Sequence, residues 1–570
     1  TTSARPTTWP CPEEFGFMNH AVSPPGQSVA QHPDADCTAL VAALQAAAGA
    51  EQVLADAASC AYYANDIFWQ PGVAPAAIVL PATRAQAIDA IKAAATHGAA
   101  IVPRGGGMSY SKGYLPESSG AVVIDTRKLN HVIELNLADR YITVEAGCTW
   151  AQVHQALEGT GMSTGYWGPL SGINATVGGA LSQNSAFFGS TLHGTVAESV
   201  LGVTVLLVDG TVLTTGSGGR VGTKPFTRYA GPDMTGLFLG DTGALGLKLA
   251  ATLALSPASG HLDYLGFGFK DMRSMVLAQV EMSAVQAISE GFGIDRAKAL
   301  NSASVNKLAD GLKLLGGVAR SAKGGLLQGI KDAARVASTG AGYLADHACS
   351  LHLVIEGRTQ AMLESHMAAL RAIGGRYGVE IESAAARVMR ANPFNPVRGM
   401  LGADGQRWVP IHALFALSEA GRVVEATAAY FSSQQALIDA NGIILSHMTM
   451  TVGNQFFMEP AFYWQDEITP LHRRSLGDDV VRPWLDRPAN TAARNAIITL
   501  RSGIQQVYVD LGGINWQIGR DYPLQSAMQP ESWAALTAIK RVFDPQGRMN
   551  PGSLGLRTPG QVSIADSTTD

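Results

Sequence analysis

The sequence predicts an α+β protein of two or three domains, and three observations carry that prediction. Its 570 residues exceed what one hydrophobic core usually organises. From Ala77 to Pro257, short apolar runs read alternately as strand and helix. Beyond Pro257 the texture shifts to strands interleaved with alanine-rich helices. The expected division is 1–258 for an N-terminal arm and a glycine-rich domain, 259–507 for a second α+β domain with a helical insert at 296–345, and 508–570 for a closing segment.

Each element has a local reason. Residues 38–48 form a short Ala-rich helix. "AAIVLP" is a strand and "TRAQAIDAIKAAATHG" an amphipathic helix, while "AAIVPRGGG" is a strand running into a glycine turn. "GAVVIDTRKL" and "YITVEAGC" follow as strands, then a helix from Thr149 to about Gly159. In "GVTVLLVDGTVLTTG" the Asp209-Gly210 pair joins two strands as a hairpin. "IILSHMTMTV" is strand-like.

Composition narrows the function classes. With 46% apolar and 15% charged residues and a formal net charge of −5, the chain is globular and gives no electrostatic ground for a nucleic-acid partner. Cys11, Cys37, Cys60, Cys148 and Cys349 are scattered without a C-x-x-C pair, which argues against a disulfide framework or a structural zinc site. No apolar run reaches the roughly 20 residues that span a bilayer. Residues 1–31 are polar and Pro-rich and lack a signal-peptide apolar stretch. The expected location is cytoplasmic or peripheral to a membrane.

The 63 glycines concentrate between residues 105 and 250, where backbone must approach something closely or adopt positive φ. Arg104-Gly105-Gly106-Gly107-Met108-Ser109-Tyr110 directly follows a strand. Successive N–H groups in such a turn make a concave anion site suited to a pyrophosphate, to which Ser109 adds a hydroxyl. Alone, the same turn also serves as a structural bend, and it is not the G-x-G-x-x-G of a dinucleotide fold.

Two further blocks follow: "GPLSGINATVGGALSQNSAFFGSTLHGTVAESVLGVTVLLVDGTVL" and "GDTGALGLKLAATLAL". The order of the three resembles the FAD-binding domain of the vanillyl-alcohol oxidase/p-cresol methylhydroxylase family. "FDPQGRMNPGSLG" at 543–555 resembles that family's closing sequence, with Ser553 where Lys is commoner. The resemblance covers about 60–258 and 510–556. It implies a PCMH-type FAD-binding domain of two α+β subdomains under an α+β cap, the substrate domain. It also implies a bound FAD. Pro103, Arg104, Gly105, Gly106, Gly107, Met108 and Ser109 would lie at its phosphates. Pro169, Gly172, Thr176, Gly179, Asn184, Gly189, Gly194 and Val200 would lie along the ribityl chain and ring, with Gly243, Gly246 and Asn550 completing the set. Several relatives attach the flavin through a His in the glycine turn, where this chain has Met108. His412, His447 and Tyr463 are other attachment candidates, and non-covalent binding is the expectation.

On the substrate side, flavin oxidation needs a base and a cationic partner for any substrate anion. The densest cluster of suitable residues contains His447, Asn454, Glu459, Tyr463, Trp464, His472, Arg473 and Arg474. His447 shares strand parity with Thr449 and is the first choice of base, with Tyr463 beside it, although a plain core or surface histidine fits the same pattern. Phe456, Phe457, Phe462 and Trp464 read as core or as substrate wall. Arg520 matches the arginine that binds a phenolate in the vanillyl-alcohol oxidase branch, with Gly519 where that branch has Tyr. Tyr522 falls on the same face if the segment is a strand. The metal-binding H-x-G-D-G-N-x-H of D-2-hydroxy acid dehydrogenases is reduced here to one His, so no metal is expected.

Residues 296–335 carry eight basic residues, from Arg296 and Lys298 to Lys331 and Arg335, against two acidic ones. They read as a peripheral membrane contact or as a solvated excursion. The resemblance implies an FAD-dependent oxidoreductase acting on a hydroxylated small molecule, with a homodimer and with O₂, a quinone or a cytochrome as electron acceptor. A D-lactate-like dehydrogenase and a non-redox transferase like alkyl-dihydroxyacetonephosphate synthase are the alternatives.

Overall fold

Three sheets, each built from a different pattern of apolar residues, carry the chain. The computed structural model describes residues 37–69, 72–305, 347–394 and 400–557. The first sheet has four strands in the order Val53–Leu54, Ala77–Val79, Val122–Asp125, Ile101–Arg104. Its last three are parallel. Ile78, Val79, Val122, Val123 and Ile124 are wholly buried, because both faces of a parallel sheet are covered. The helix Arg84–Thr96 covers one face. It starts at a Thr83–Gln86 capping box and buries Ala87, Ala90, Ile91 and Ala94. Tyr62, Tyr63 and Tyr114 cover the other face.

The second sheet is antiparallel, in the order Val132–Asn136, Tyr141–Glu145, Leu247–Pro257, Val200–Leu206, Val212–Thr214. Asp209 and Gly210 close the expected hairpin, with Gly210 at φ +88° and Thr211 N–H donating to Asp209 Oδ1 at 2.8 Å. The helix Val177–Gln183 belongs to the same hydrophobic cluster.

The third sheet runs Val379–Ile381, His261–Phe269, Cys349–Gly357, Ile288–Asp295, Ile444–Val452, Gln455–Trp464, Arg407–Pro410, with Ala413–Ala416 also on the Gln455–Trp464 strand. One face packs on the helices Met272–Ser283, Gln360–Tyr377, Ala420–Ser433 and Thr491–Asp510. The other turns Phe292, Ile294, Met448, Met450 and Phe457 toward Phe187 and Phe188 of the glycine-rich domain. Strand alternation therefore decides which cap residues can meet that domain.

Tyr508 is a core residue of the Thr491–Asp510 helix, and the chain leaves that helix after Asp510 to return toward the first sheet. Residues 511–523 form turns, so the strand on which Tyr522 would share a face with Arg520 is not formed; Gly512 and Gly519 sit at φ +76° and +58°. The return then binds Asn550 N–H to Ile101 O at 2.7 Å. The basic stretch at 306–335 and Cys11 lie outside the described residues, as does most of the expected insert.

A buried ion-pair network anchors the first sheet. Asp125 accepts hydrogen bonds from Tyr63 Oη at 2.6 Å, Arg127 Nη2 at 2.6 Å and Arg104 Nη1 at 3.4 Å. Burial alone would raise its carboxyl, but Arg127 and Arg104 outweigh burial and hold it below the usual range. A depressed folded pKa contributes stability above the unfolded value and loses it as pH falls through the folded one. Asp125→Ala strands two cations and should cost about 3–5 kcal/mol, measured by urea unfolding at neutral pH. The deficit should shrink at strongly acidic pH, where the wild-type carboxyl is itself protonated.

Candidate functional site

The glycine turn leaves the Ile101–Arg104 strand and folds against the segment ahead of the Val177–Gln183 helix. A Cβ on Gly105 would overlap Thr176 Oγ1, and one on Gly106 would overlap the Asn174 carbonyl oxygen. Gly107 sits at φ +73°, a conformation that favours glycine. Among the described residues, the N–H groups of Gly106, Gly107, Met108 and Ser109 donate to no protein acceptor. Buried backbone N–H groups are almost always paired, and here Gly107 is buried and its three neighbours half-buried. Four free donors in one bend therefore make a cradle for a polyanion, and its chemistry fits a dinucleotide diphosphate.

The first and third blocks also meet, since a Cβ on Gly243 would lie 3.0 Å from Pro103 Cγ. Thr176 caps its helix by accepting from Gly179 N–H, and Asn184 ends that helix in the left-handed region. Pro169 is half-buried and Gly172 buried; a Cβ on Gly172 would overlap the Phe394 ring. Gly189 and Gly194 meet the cap: Gly189 N–H donates to Glu290 Oε1 at 3.1 Å, and Gly194 adjoins Gly453. Val200 is a core residue, and Gly246 packs on Val205 and Leu206.

Two of the expected phosphate contacts are instead supports. Arg104 is buried under the turn against Asp125, its guanidinium over the Tyr62, Tyr63 and Tyr114 rings. Asn550 spends its side chain on the Gly113 and Thr242 carbonyls and on Arg520. Both hold the blocks together from behind, where a deletion by sequence pattern alone would not separate support from contact.

Tyr110 follows the turn directly and opens onto the cap. Its hydroxyl lies 3.1 Å from His412 Nε2 and donates to Gln517 Oε1 at 3.2 Å. Trp408 meets the Tyr110 ring edge at 5.7 Å. His412 stacks on Tyr522 at 5.6 Å and adjoins Phe457 and Trp516. Burial brings the His412 imidazole down to about 4, so it is neutral at physiological pH.

On the Gln455–Trp464 strand, Phe456, Phe462 and Trp464 belong to the helix-side core, whereas Phe457 faces the glycine-rich domain. Glu459 and Tyr463 share Phe457's parity. Tyr463 Oη accepts from Lys298 Nζ at 3.3 Å, and Lys298 also lies over the Trp408 ring. Glu459 is 8% exposed, and burial pushes its carboxyl up to about 7.

The expected base is misplaced. His447 lies on the helix face of its strand, against Phe431 and 2.8 Å from Asp295 Oδ2. It is Met448 and Met450 that turn toward the glycine-rich domain. The expected anion clamp is corrected too: Arg520 is bound to the carbonyls of Lys112 and Pro551 and to Asn550, within 3.5 Å of Glu117. Tyr522 does reach the His412 cluster, and Tyr463 the Lys298 pair. Lys298, which reads from sequence as one of a basic run, is drawn inward, and Arg501 was not legible as a site residue at all. Arg501 pairs with Asp521 at 2.5 Å while its buried Nε makes no hydrogen bond. Among the described residues, no three His, Cys, Asp or Glu side chains come together as a metal-ligand set.

Comparison with known proteins places two segments of the chain in known families. Residues 75–216 match the family model described as FAD binding domain, and 519–554 match FAD linked oxidases, C-terminal domain. The chain is 31% identical over 207 residues to a probable mitochondrial D-lactate dehydrogenase of Danio rerio, covering 36% of this chain and 39% of that protein. It is 29% identical over 200 residues to D-lactate dehydrogenase [cytochrome] 1, mitochondrial, of Saccharomyces cerevisiae, covering 35% and 32%. The matches thus span about two fifths or less of these relatives' length. A structure of p-cresol methylhydroxylase with substrate bound superposes with a TM-score of 0.67 at 17% identity, over 92% of this chain and 97% of that one. The fold is that of the PCMH-type FAD-binding flavoproteins, while these sequence relatives are named as D-lactate dehydrogenases and not as vanillyl-alcohol oxidases.

Gly106→Ala should weaken FAD binding roughly tenfold or more, since relieving an overlap in a packed turn costs about 1–3 kcal/mol. Fluorescence titration of the apoprotein with FAD measures this; an unchanged affinity would place the cradle elsewhere.

Proposed function

We propose that this chain is an FAD-dependent oxidoreductase that oxidises a hydroxyl-bearing carbon of a small organic molecule. The observation that carries the reading is the row of four unpaired amides at Gly106–Ser109, opening through Tyr110 onto a buried polar cluster under the cap. When bound, FAD supplies a two-electron acceptor for hydride.

The chain's own residues do the rest. The amides of the turn hold the diphosphate, and the close approach of Asn174 and Thr176 fixes the turn that presents them. Trp408, Phe457 and Trp516 wall the space beyond Tyr110 and exclude water, which strengthens every electrostatic interaction there. His412, neutral and stacked on Tyr522, orients the Tyr110 hydroxyl. Two cations, Lys298 and Arg501, flank the space, and they favour a substrate with an anionic oxygen, whether carboxylate or phenolate. The names of the sequence relatives favour a hydroxy acid, and the aromatic walls favour an aromatic alcohol. Met108 stands where several relatives attach the flavin through His and cannot form that link, which favours non-covalent FAD. The electrons then leave to O₂, a quinone or a cytochrome, the last being part of the yeast relative's name.

Purified protein should be yellow, and its colour should release on denaturation. Under anaerobic conditions, a panel of D- and L-hydroxy acids, phenols and benzylic alcohols should include a compound that bleaches the flavin. A protein that takes up FAD but is bleached by none of them would favour a non-redox use of the cofactor.

A further inference from the structure

We propose that Glu459 is the catalytic residue that accepts the substrate's hydroxyl proton, at the floor of the space between the Tyr110–His412 pair and the Lys298–Tyr463 pair. The assignment rests on the oxidoreductase reading above.

The placement comes from the strand register. Glu459 pairs with Met448 on one side, and on the other side Pro410 and Ala413 oppose Ala461 and Met458, which sets His412 alongside it. Phe457 and Ala461 are its neighbours on the same face. Beyond Ala461 the same face carries Tyr463, and the Lys298 charge acts on the Glu459 carboxyl.

A second glutamate on the same sheet shows what a structural role looks like. Glu290 is buried and fully tied: it accepts from Trp167 Nε1 at 3.0 Å, Gly189 N–H at 3.1 Å, Arg390 Nη1 at 2.7 Å and Ser289 Oγ at 2.8 Å. Glu459 is nearly as buried and accepts no hydrogen bond among the described residues. A desolvated carboxyl without partners is unfavourable for folding, and such groups cluster where a protein uses them. Its environment is set by Lys298 from the helix Arg296–Val305, Tyr463 on its own strand, Tyr110 after the glycine turn, His412 from the cap and Tyr522 from the C-terminal return, with Arg501 behind Tyr522. Burial raises the carboxyl to about 7, while the Lys298 charge pulls it the other way. A base tuned to the working pH is the most effective one.

In the step, the substrate O–H bond breaks and its proton passes to a Glu459 carboxylate oxygen. The C–H electron pair leaves with its hydrogen as hydride to the bound flavin. The carbon–oxygen bond becomes a carbonyl, so the substrate loses two electrons and two hydrogens, one to the protein and one to FAD. Lys298 and Tyr463 act as positioning residues that hold the reacting oxygen or a neighbouring substrate anion.

The test uses FAD-loaded protein and two probes, D-lactate and 4-hydroxybenzyl alcohol, mixed anaerobically while flavin reduction is followed. Glu459→Gln should slow reduction about 10²- to 10⁴-fold with FAD affinity unchanged and thermal stability no lower than wild type, since a buried charge is removed, and Glu459→Asp should fall between in rate. In the wild type the rate should rise with pH through about 7, because the deprotonated form is the base. Lys298→Gln removes the opposing charge and should move that limb to higher pH. Independently of any substrate, infrared titration of the holoprotein should show carboxyl C=O absorption that grows as pH falls through about 7, from Glu459 and from the buried Asp66, which burial also raises to about 7; Glu459→Gln should lose its share, leaving a wild-type-minus-variant difference band. Reduction of Glu459→Gln at the wild-type rate, or no difference band between the two proteins, overturns the assignment. If neither probe bleaches wild-type flavin, that result counts against the oxidoreductase reading, and the infrared titration alone decides for or against Glu459.

Discussion

The close contact between the glycine turn and the Asn174–Thr176 segment is the constraint on which the site depends. Any side chain at Gly105 or Gly106 would push these two pieces of chain apart. With glycine at both, the turn is pinned to the start of the Val177–Gln183 helix, and among the described residues its Gly106–Ser109 amides donate to no protein acceptor. The supporting shell follows from the same need. Arg104 sits beneath the turn on three tyrosine rings, and Arg520 and Asn550 fasten the C-terminal return to the strand that feeds it. Residues distant in sequence thereby become one rigid frame, which a diphosphate site requires if its donors are to be preorganised.

The second controlling feature is the two-residue period of the cap strands. In the Ile444–Val452 and Gln455–Trp464 pair, a shift of one position separates the helix-side core from the face that meets the glycine-rich domain. That single bit of parity sends His447 to Phe431 and Asp295, and sends Phe457 and Tyr463 toward Tyr110 and Lys298. The Glu290 network then ties the cap to the glycine-rich domain through Gly189 and Trp167, and Gly291 N–H adds a bond to Thr191 Oγ1 at 3.0 Å. The joint between the two domains is therefore polar and directional as well as apolar, which fixes how the cap sits over the turn.

Much of this was legible in the sequence, and the remainder was not for definable reasons. The first two sheets follow from local signals: the capping box at Thr83, the Asp209-Gly210 hairpin and the apolar parallel strands each specify themselves. The glycine turn was legible because its conformation requires glycine whatever surrounds it. His447 was misread because parity within a strand says which residues share a face, not which face is inward. Arg520 was misread because the assumed strand is a turn, its backbone bent at Gly519, where the guanidinium binds carbonyls instead. Lys298 and Arg501 gave no local signal at all. Their burial arises from contacts with chain more than 100 residues away, Tyr463 in one case and Phe68 in the other, and no periodicity encodes such contacts.

The account turns on where the diphosphate lies. An experimental structure of the protein with FAD bound tests this most directly. The account predicts diphosphate oxygens within hydrogen-bonding distance of the Gly106, Gly107, Met108 and Ser109 amides, with the flavin ring system reaching Tyr110 beneath the face that carries Phe457 and Tyr463. A diphosphate bound away from those amides, with the turn left free, would contradict it.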